Sequence, residues 1–443
     1  MTPRYAALVG LGFGDCGKGL YTDALCRRWP VHTVVRYNGG AQAGHNVVLP
    51  DGRHHTYSQF GAGSFVDGVH TLLSAPVVVH PTALRVEEAA LRRAGVSETW
   101  SRLLIDERCR ITTPFHQAAG RLRELRRGSR PHGTCGAGVG ETVRHALAHP
   151  DETLHYADLL DPARALDRLH AIRIRLAAEF DTASADGDPR AEPEARALAD
   201  ETLAARWLAA AREVAALAPP MPREGVAQRL RRDGTLLFEG AQGMLLDESH
   251  GLHPHTTWSD VTPSAADAVL RDAGLDARVA RYGVLRTYLT RHGAGPLPTH
   301  DPALDAALPE PHNTSDGWQG AFRRGHPDAV LLRHAATAAG PLDGLLLSHL
   351  DALARPGVAL RWCEGYEIDG NSMSRTDRLP AGAPGDLTHQ AALTALLQRA
   401  QPRYAASPMR DERMLLDRIE EACGAHVRCV SRGPTHRNVS ELS

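Results

Sequence analysis

Near its amino end the chain reads as a buried strand, a glycine-rich loop and a helix. Residues 5–13 are mostly apolar and run into the loop GLGFGDCGKG at 10–19, and a helix is predicted from about Lys18 to Arg28. A second apolar run at 31–37 predicts a strand parallel to the first. This order predicts an α/β fold with a mainly parallel sheet flanked by helices.

Further apolar runs that end at glycine or polar residues are typical of additional strands. They lie at 77–80, 236–240, 283–289 and 344–351. Because α/β proteins place their sites at the carboxyl ends of strands, the residues that follow these runs are candidates for a functional site.

The whole chain, residues 1–443, is interpreted as a single domain. Residues 151–235 are rich in Ala, Arg, Leu and Glu at helical spacing, which predicts a mostly helical insertion within that domain. Residues 181–194 and 302–317 are predicted to be long exposed loops, because residues typical of turns are frequent there.

The composition disfavours several classes of protein. A hydrophobic fraction of 42% and a charged fraction of 23% are typical of a globular protein with a sizeable core. A net charge of −2 argues against a broadly basic surface for nucleic acid. The sequence contains no uninterrupted run of about 18 apolar residues, so no membrane span is predicted. The seven cysteines form no Cys-x-x-Cys pair, so we expect a reducing, cytoplasmic setting.

The first glycine-rich loop fits two nucleotide-binding patterns. Gly12, Gly14 and Gly17 satisfy the dinucleotide fingerprint, but no Asp or Glu lies at 34–38 to hold a ribose. The phosphate-loop pattern gains from Lys18, the only lysine among fifty basic residues. A compact ammonium suits a narrow phosphate pocket better than a guanidinium does. A phosphate-binding loop, and with it a fold like that of P-loop nucleotide hydrolases, is therefore favoured over the loop of an NAD-dependent dehydrogenase.

The loop differs from that of a switch GTPase. Gly19 stands where Ser or Thr ordinarily binds Mg²⁺, and SHLD at 348–351 does not match the Asn-Lys-x-Asp motif for guanine. Asp15 is a candidate metal ligand in place of the missing hydroxyl. A second glycine-rich loop, NGGAQAGHN at 38–46, predicts close backbone approach to a ligand, with His45 as a candidate acid.

Six motifs in a characteristic order give the chain a resemblance to the adenylosuccinate synthetase family. They are GDCGKG (14–19), RYNGGAQAGHN (36–46), FEGAQGMLLDESHG (238–251), TRHGAGPLPT (290–299), Leu-Asp at 350–351 and SRGPTHR (431–437). The resemblance covers most of the chain and is thin across 150–235. It implies a homodimeric, cytoplasmic ligase of purine biosynthesis. Such an enzyme uses GTP and Mg²⁺ to phosphorylate the 6-oxygen of IMP, and the amine of L-aspartate then displaces the phosphate.

The resemblance also implies roles for individual residues. Asp15 would remove the proton from N1 of the base and bind Mg²⁺ together with Gly44. His45 would donate a hydrogen bond to the 6-oxygen, and Gln242 would contact the acceptor at the reacting centre. The GTP site would comprise Gly14, Cys16, Gly17, Lys18, Gly19, Gly44, Asn46, His349, Asp351, Ser431 and Gly433. The acceptor and the amine donor would contact Asn38, Gln42, Thr134, Cys135, Arg144, Thr257, Trp318, Arg323 and Arg324.

The chain departs from the family at several positions that would face substrates. Cys16 replaces a Glu, Cys135 a Thr, Gln42 an Asn, and His349 a Lys beside the guanine. Arg144 is the nearest candidate for an arginine that the partner subunit contributes in the family, although its spacing differs.

The largest departure is the loop that binds aspartate. HNTSDGWQGAFRRGHPD at 312–328 replaces Thr-Thr-Gly and its run of arginines, which leaves Arg323 and Arg324 as candidate carboxylate ligands. Asp15 favours an IMP-like acceptor, because the related phage enzymes that act on dGMP typically lack that aspartate. Two alternatives follow. One is a specialised paralogue with another amine donor or purine-like nucleotide, and the other is a GTP-binding regulatory protein without ligase activity.

Overall fold

The computed structural model describes residues 2–180, 188–313, 317–368 and 374–442. The helices of these ranges are α1 Lys18–Arg28, α2 Pro81–Arg93, α3 Pro114–Arg126, α4 Val139–Ala148, α5 Pro162–Glu179, α6 Ala191–Ala199, α7 Leu203–Leu217, α8 Arg223–Arg231, α9 Pro263–Asp272, α10 Pro302–Ala307, α11 Ala329–Ala339, α12 Leu387–Arg399 and α13 Glu412–Cys423. The strands are β1 Tyr5–Gly10, β2 Val31–Arg36, β3 His45–Val48, β4 His54–Tyr57, β5 His70–Leu73, β6 Val78–Val79, β7 Leu103–Asp106, β8 Arg110–Ile111, β9 Pro220–Met221, β10 Thr235–Glu239, β11 Ala280–Arg286, β12 Leu289–His292, β13 Phe322–Gly325, β14 Gly344–Ser348, β15 Cys363–Ile368, β16 Ser374–Thr376, β17 Ala400–Tyr404, β18 Val427–Ser431 and β19 Val439–Glu441.

A ten-stranded sheet forms the centre of the fold. Its strand order is β19-β18-β14-β11-β1-β10-β2-β5-β7-β9, and its neighbours are parallel except for β18 and β19. Every residue of β1, β10 and β14 is buried, as expected for parallel strands that helices cover on both faces. The prediction of a mainly parallel sheet flanked by helices is confirmed.

Helix α1 begins and ends where the sequence predicts, and two glycines explain its position. Gly17 precedes the helix with a φ of 95°, and a Cβ there would lie 2.9 Å from the Cβ of Ser348. A Cβ on Gly19 would lie 2.6 Å from the carbonyl oxygen of Asn46. The first turn of α1 is therefore held between the end of β14 and the second glycine-rich loop.

The single strand predicted at 283–289 is wrong, because Thr287 and Tyr288 separate β11 from β12. The Thr287 hydroxyl lies 2.9 Å from the carbonyl oxygen of Ser348 and 2.7 Å from that of His349. These contacts with the end of β14 hold the chain in a turn. The hydrophobicity of neighbouring residues does not predict this turn, because the contacts are made with a distant part of the sequence.

The run at 77–80 forms only the two-residue strand β6. This strand pairs with β8 in a small parallel sheet of its own, apart from the ten-stranded sheet. Val78 and Val79 are buried, so the hydrophobicity of this run correctly indicated burial. It did not indicate whether the run belongs to the main sheet.

The long loop predicted at 302–317 is wrong in its first part, where helix α10 forms. The side chain of Asp301 accepts a hydrogen bond from the backbone N–H of Ala303, and Pro302 occupies the first helical position. Residues 314–316 lie outside the described residues.

Residues 151–235 contain helices α5 to α8 together with β9, which pairs with β7 at the edge of the large sheet. The exposed loop predicted at 181–194 is wrong from Ala191 onward, because α6 begins there and buries Ala191 and Leu198. Residues 181–187 lie outside the described residues. No helix of the described part of the chain is long and apolar enough to cross a membrane.

Buried imidazoles make the stability of this fold sensitive to acid. Burial lowers the pKa of His116 from 6.5 to about 3, with further lowering by His145 and Arg144. Burial also lowers the pKa of His45 to about 4. Histidines with a lower pKa in the folded state stabilise it above their unfolded pKa near 6.5, and this contribution is lost as the pH falls toward the folded pKa.

We therefore expect the Tm from scanning calorimetry to fall steeply between about pH 6.5 and pH 4, since each unit of pKa difference corresponds to about 1.4 kcal/mol. The variant His116→Gln, which has no titrating group at this position, should show a shallower fall than the unmodified chain. A Tm that stays constant over this range would contradict the prediction.

Candidate active site

A cleft of about 560 Å³ lies at the carboxyl ends of the central strands. The loops that follow β1, β2, β10, β11 and β14 contribute to its walls. The sequence-predicted residues that line it are Gly14, Asp15, Cys16, Gly17, Lys18, Gly19, Gln42, Gly44, His45, Asn46, Thr134, Cys135, Gln242, Thr257, His349, Asp351 and Gly433. The two glycine-rich loops and the end of β14 thus meet in one cleft, as expected for strand ends in an α/β sheet.

One wall of the cleft is built for an anion. The amino end of α1 borders the cleft, and no side chain caps it, so its backbone N–H groups remain for a ligand. Lys18 is buried, and its Nζ donates a hydrogen bond to the carbonyl oxygen of Gln242 at 2.6 Å and lies 3.5 Å from Sγ of Cys16. A helix amino end and a buried ammonium together favour phosphate oxygens.

His45 is held by a buried carboxylate. Its Nδ1 lies 2.7 Å from Oε1 of Glu239, whose Oε2 accepts the backbone N–H of Ala62 at 3.0 Å. Burial raises the pKa of the Glu239 carboxyl, but His45, Arg36 and this N–H together lower that pKa by more than burial raises it. The net shift is downward, so the carboxyl is ionised. With a pKa of about 4, His45 is neutral near pH 7 and donates Nδ1–H to Glu239, which leaves Nε2 for a ligand.

Asp15, in the phosphate loop, faces the strand pair β12–β13. Its Oδ2 is 3.5 Å from Nε2 of His292, and its side chain is partly exposed to the cleft. On the same side, Arg286 forms a buried ion pair with Glu310, which also accepts a hydrogen bond from the Tyr288 hydroxyl at 3.0 Å. Asp15 thus places a carboxylate at the cleft, where it can accept a proton from a bound molecule.

At the end near β14 the cleft presents His349 and Asp351. His349 has a φ of 61° and Gln242 a φ of 57°, and such left-handed conformations in non-glycine residues cluster at functional sites. Burial lowers the pKa of His349 to about 3, so its ring is neutral. Asp351 is paired with Arg355 at 3.6 Å and keeps its carboxylate at the cleft.

Six of the sequence-predicted residues do not line the cleft: Asn38, Arg144, Trp318, Arg323, Arg324 and Ser431. The Asn38 amide instead accepts the N–H of Ala241 at 2.7 Å and donates to its carbonyl oxygen at 3.3 Å. Arg144 is paired with Glu141 and Glu179. Through its two hydrogen bonds to Ala241, Asn38 holds the loop after β10 in place without lining the cleft.

Trp318 lies outside the cleft, against a neighbouring loop. Its ring contacts Gly136, where a Cβ would lie 2.8 Å from the indole Cδ1. The guanidinium groups of Arg121 and Arg190 lie 5.6 and 5.5 Å from the ring centroid. Cation–π contacts with two arginines fasten this part of the loop, while Gln319 reaches the cleft.

Several residues of this site were not predicted from the sequence. Glu239, Arg291 and His292 lie in motifs that the resemblance was based on, but they received no role. Each stands at or near the carboxyl end of a strand, which was the available signal.

The family model for adenylosuccinate synthetase matches residues 7–440. An adenylosuccinate synthetase of Mycobacterium sp. (strain KMS) is 32% identical over 96% of this chain and 95% of that protein. One from Neisseria gonorrhoeae (strain ATCC 700825 / FA 1090) is 31% identical over 97% and 96%.

Two solved structures share the fold. Fully ligated adenylosuccinate synthetase from Plasmodium falciparum superposes with a TM-score of 0.78 at 19% identity, and all of both chains is covered. The cyanophage S-2L succinoaminodeoxyadenylate synthetase, bound to dGMP and to dATP as an energy donor, gives a TM-score of 0.61 at 19% identity over 100% of this chain and 96% of that one. With a family match over nearly its whole length, this chain belongs to the adenylosuccinate synthetase family of C–N bond-forming ligases.

Proposed function

We propose that this chain uses GTP and Mg²⁺ to phosphorylate the 6-oxygen of IMP, or of an IMP-like nucleotide, and then replaces the phosphate with the amine of L-aspartate or a related donor. One observation carries the proposal. Asp15, Lys18 and His45 border a single cleft, so a carboxylate base, a phosphate-binding ammonium and an imidazole can act on one acceptor.

The residues present fit a magnesium ion held mainly by the nucleotide. Mg²⁺ in phosphoryl-transfer sites commonly binds one or two carboxylates together with substrate phosphates. Among the described residues, no group of three or more His, Cys, Asp or Glu side chains converges to form a metal site. The Asp15 carboxylate and the Gly44 carbonyl would supply protein oxygens, and the bound ion would neutralise charge on the phosphates.

In the first step Asp15 takes the proton from N1 of the purine, which makes the 6-oxygen nucleophilic enough to attack the γ-phosphorus of GTP. Lys18 and the N–H groups at the start of α1 hold the triphosphate. His45 takes up a proton from solvent on Nε2 as negative charge gathers around it, because Glu239 stabilises the imidazolium, and it then donates a hydrogen bond to the phosphorylated oxygen. In the second step the donor amine attacks C6, the C–O bond electrons leave with phosphate, and the proton that the amine loses passes to solvent.

The acceptor nucleotide is assigned to the part of the cleft lined by Gln42, Thr134, Cys135, Gln242 and Thr257. Buried amide oxygens support this assignment. The Oε1 atoms of Gln42 and Gln242 are buried without a hydrogen-bond partner, and buried polar atoms ordinarily have one. A nucleotide that donates hydrogen bonds would satisfy both.

We also propose that the protein is a cytoplasmic homodimer in which Arg144 reaches the cleft of the second copy. Its position on α4, away from the cleft of its own chain, supports this role. Arg144 would then exchange its pairing with Glu141 and Glu179 for contact with the acceptor phosphate.

The direct test follows nucleotide absorbance in a mixture of purified protein, IMP, L-aspartate, GTP and Mg²⁺. Formation of adenylosuccinate that requires all four components supports the proposal. Product with another amine or nucleotide would identify a specialised paralogue. GTP binding without any product from a panel of amines and purine nucleotides would favour a regulatory protein and reject the proposed reaction.

The Asp351→Asn variant tests the assignment of the GTP base. A carboxylate accepts hydrogen bonds from N1–H and the 2-amino group of guanine, whereas an amide can donate to the 2-oxygen of xanthine. We expect kcat/KM for GTP to fall about 10–100-fold, as for loss of a charge-assisted hydrogen bond. We expect kcat/KM for XTP to rise in a coupled assay. Unchanged GTP kinetics would place the base elsewhere.

A further inference from the structure

A histidine of β12 contacts the carboxylate that is assigned as the base. Nε2 of His292 lies 3.5 Å from Oδ2 of Asp15 and 3.4 Å from Oδ1 of Asn313. The side chains of His292 and Asp15 are 19% and 22% exposed, and both residues line the cleft. The contact therefore joins the phosphate loop to a strand from a distant part of the sequence.

The neighbours of His292 determine which of its ring nitrogens carries a proton. Nδ2 of Asn313 lies 3.4 Å from Oε2 of Glu310, and this carboxylate, which is paired with Arg286, accepts a hydrogen bond from the amide. The amide oxygen of Asn313 is thereby turned toward His292. Because a carboxylate oxygen and an amide oxygen can only accept, Nε2 is the donor, and Asp15 faces an N–H group.

Packing and hydrogen bonds fix the direction of this N–H group. The imidazole of His292 packs on Phe322, with 4.5 Å between the ring centroids. Glu310, which orients Asn313, also accepts a hydrogen bond from the Tyr288 hydroxyl at 3.0 Å. The imidazole is thus held between β13 and the turn that follows β11, and its Nε2–H keeps one orientation.

Asp15, in contrast, has little else to orient its carboxylate. Among the residues that the structure describes, His292 is the one hydrogen-bond or ion-pair partner of this side chain. His45, the other imidazole assigned to the reaction, is bound to Glu239 instead. A partly exposed carboxylate without a partner rotates about its last side-chain bond, whereas a catalytic group must be held close to its productive geometry.

We propose that His292 is a positioning residue for the base. Its Nε2–H forms a hydrogen bond to Oδ2 of Asp15 and so directs Oδ1 toward N1 of the acceptor base. The inference rests on the proposed ligase function, because Asp15 acts as a base only in that reaction. Hydrogen bonds between catalytic groups are often long before the substrate binds and shorten in the complex, as the 3.5 Å separation requires.

The test compares two substitutions of His292 in steady-state kinetics of the full-length protein. His292→Leu removes the N–H donor, and we expect kcat to fall about 10–100-fold, as for a misplaced catalytic group, with KM for GTP and for the acceptor within about twofold. His292→Gln places an amide N–H near the position of Nε2 and should recover most of this loss.

Three results would overturn the proposal. An unchanged kcat in His292→Leu would show that Asp15 needs no orientation. Equal losses in His292→Leu and His292→Gln would assign the effect to packing of the ring and not to its N–H. A rise in KM for the amine donor with unchanged kcat would place His292 in donor binding.

A control variant removes a similar contact outside the cleft. Nε2 of His300 lies 2.7 Å from Oδ2 of Asp305, and neither residue lines the cleft. His300→Leu should therefore leave kcat unchanged. A decrease as large as that of His292→Leu would mean that loss of any imidazole–carboxylate contact in this region slows turnover, which would contradict a specific role for His292.

A double-mutant cycle tests whether His292 acts through Asp15. In the Asp15→Asn background, measured at high enzyme concentration, His292→Leu should lower kcat no further, since no base is left to orient. A further decrease by the same factor would show that His292 acts independently of Asp15 and would reject the proposal. If the unmodified protein yields no product with any amine or nucleotide, the proposed function itself fails, which is distinguishable from product formation that is insensitive to His292.

Discussion

Turnover of the Asp15→Asn variant is expected to fall by about 10²–10⁴-fold, the usual contribution of a general base. Asparagine has nearly the same shape as aspartate but cannot accept the N1 proton, so the purine 6-oxygen remains a poor nucleophile. KM for GTP should change far less than turnover, because the triphosphate is assigned to Lys18 and the start of α1, and Asp15 would contact it only through Mg²⁺. Product formation by absorbance and nucleotide binding by calorimetry provide the two measurements.

A matched substitution outside the cleft controls for general effects of removing a carboxylate. Asp260 accepts hydrogen bonds from the backbone and hydroxyl of Thr262 and does not line the cleft. Asp260→Asn should therefore retain turnover. Normal turnover in Asp15→Asn, with bound GTP and an unchanged Tm, would show that another group removes the proton.

The second large effect is expected for Glu239→Gln. The substitution keeps a hydrogen-bond acceptor next to Nδ1 of His45 but removes the charge that stabilises the imidazolium. Loss of one such donor in the transition state lowers kcat by about 10²–10³-fold in comparable sites. Pre-steady-state measurement of the phosphoryl-transfer step should show the decrease, while KM for the nucleotides remains similar.

The pairing of the two residues can be tested by a double-mutant cycle. If Glu239 acts through His45, then His45→Gln should lower kcat by a similar factor, and the double variant should be no slower than the slower single variant. Fully additive effects in this cycle would mean that Glu239 acts on the reaction independently of His45.

Much of the fold was predictable because its signals are local. β1, α1 and β2 follow from an apolar run, a glycine-rich loop and a second apolar run, which are contiguous in the sequence. The division between β11 and β12 was not predictable, because the Thr287 hydroxyl turns toward carbonyl oxygens about sixty residues away in the chain. α10 was missed although Asp301 and Pro302 are a recognisable helix start.

The candidate site was predictable where glycine-rich loops, and so the backbone itself, line the cleft. The glycine-rich loops and Lys18 converge in the cleft as their sequence suggests, because strand ends place them there. Side chains whose partners come from distant strands were harder to interpret. The amide of Asn38 forms hydrogen bonds with the loop after β10 and not with the cleft. Glu239 becomes a candidate only because His45, from a distant part of the sequence, contacts it at the buried end of β10.

The position of Lys18 gives the protein a built-in chemical reporter. A reagent that acylates amines meets only one ε-amino group in the entire chain, and that group lies buried in the cleft beside Cys16 and the Gln242 carbonyl. Apart from the α-amino group, a stable amide adduct therefore marks one known atom. The rate of labelling measures how often the Lys18 amine becomes accessible to the reagent. The decrease in that rate with increasing triphosphate concentration measures triphosphate binding, and this measurement does not require knowing which amine the enzyme consumes.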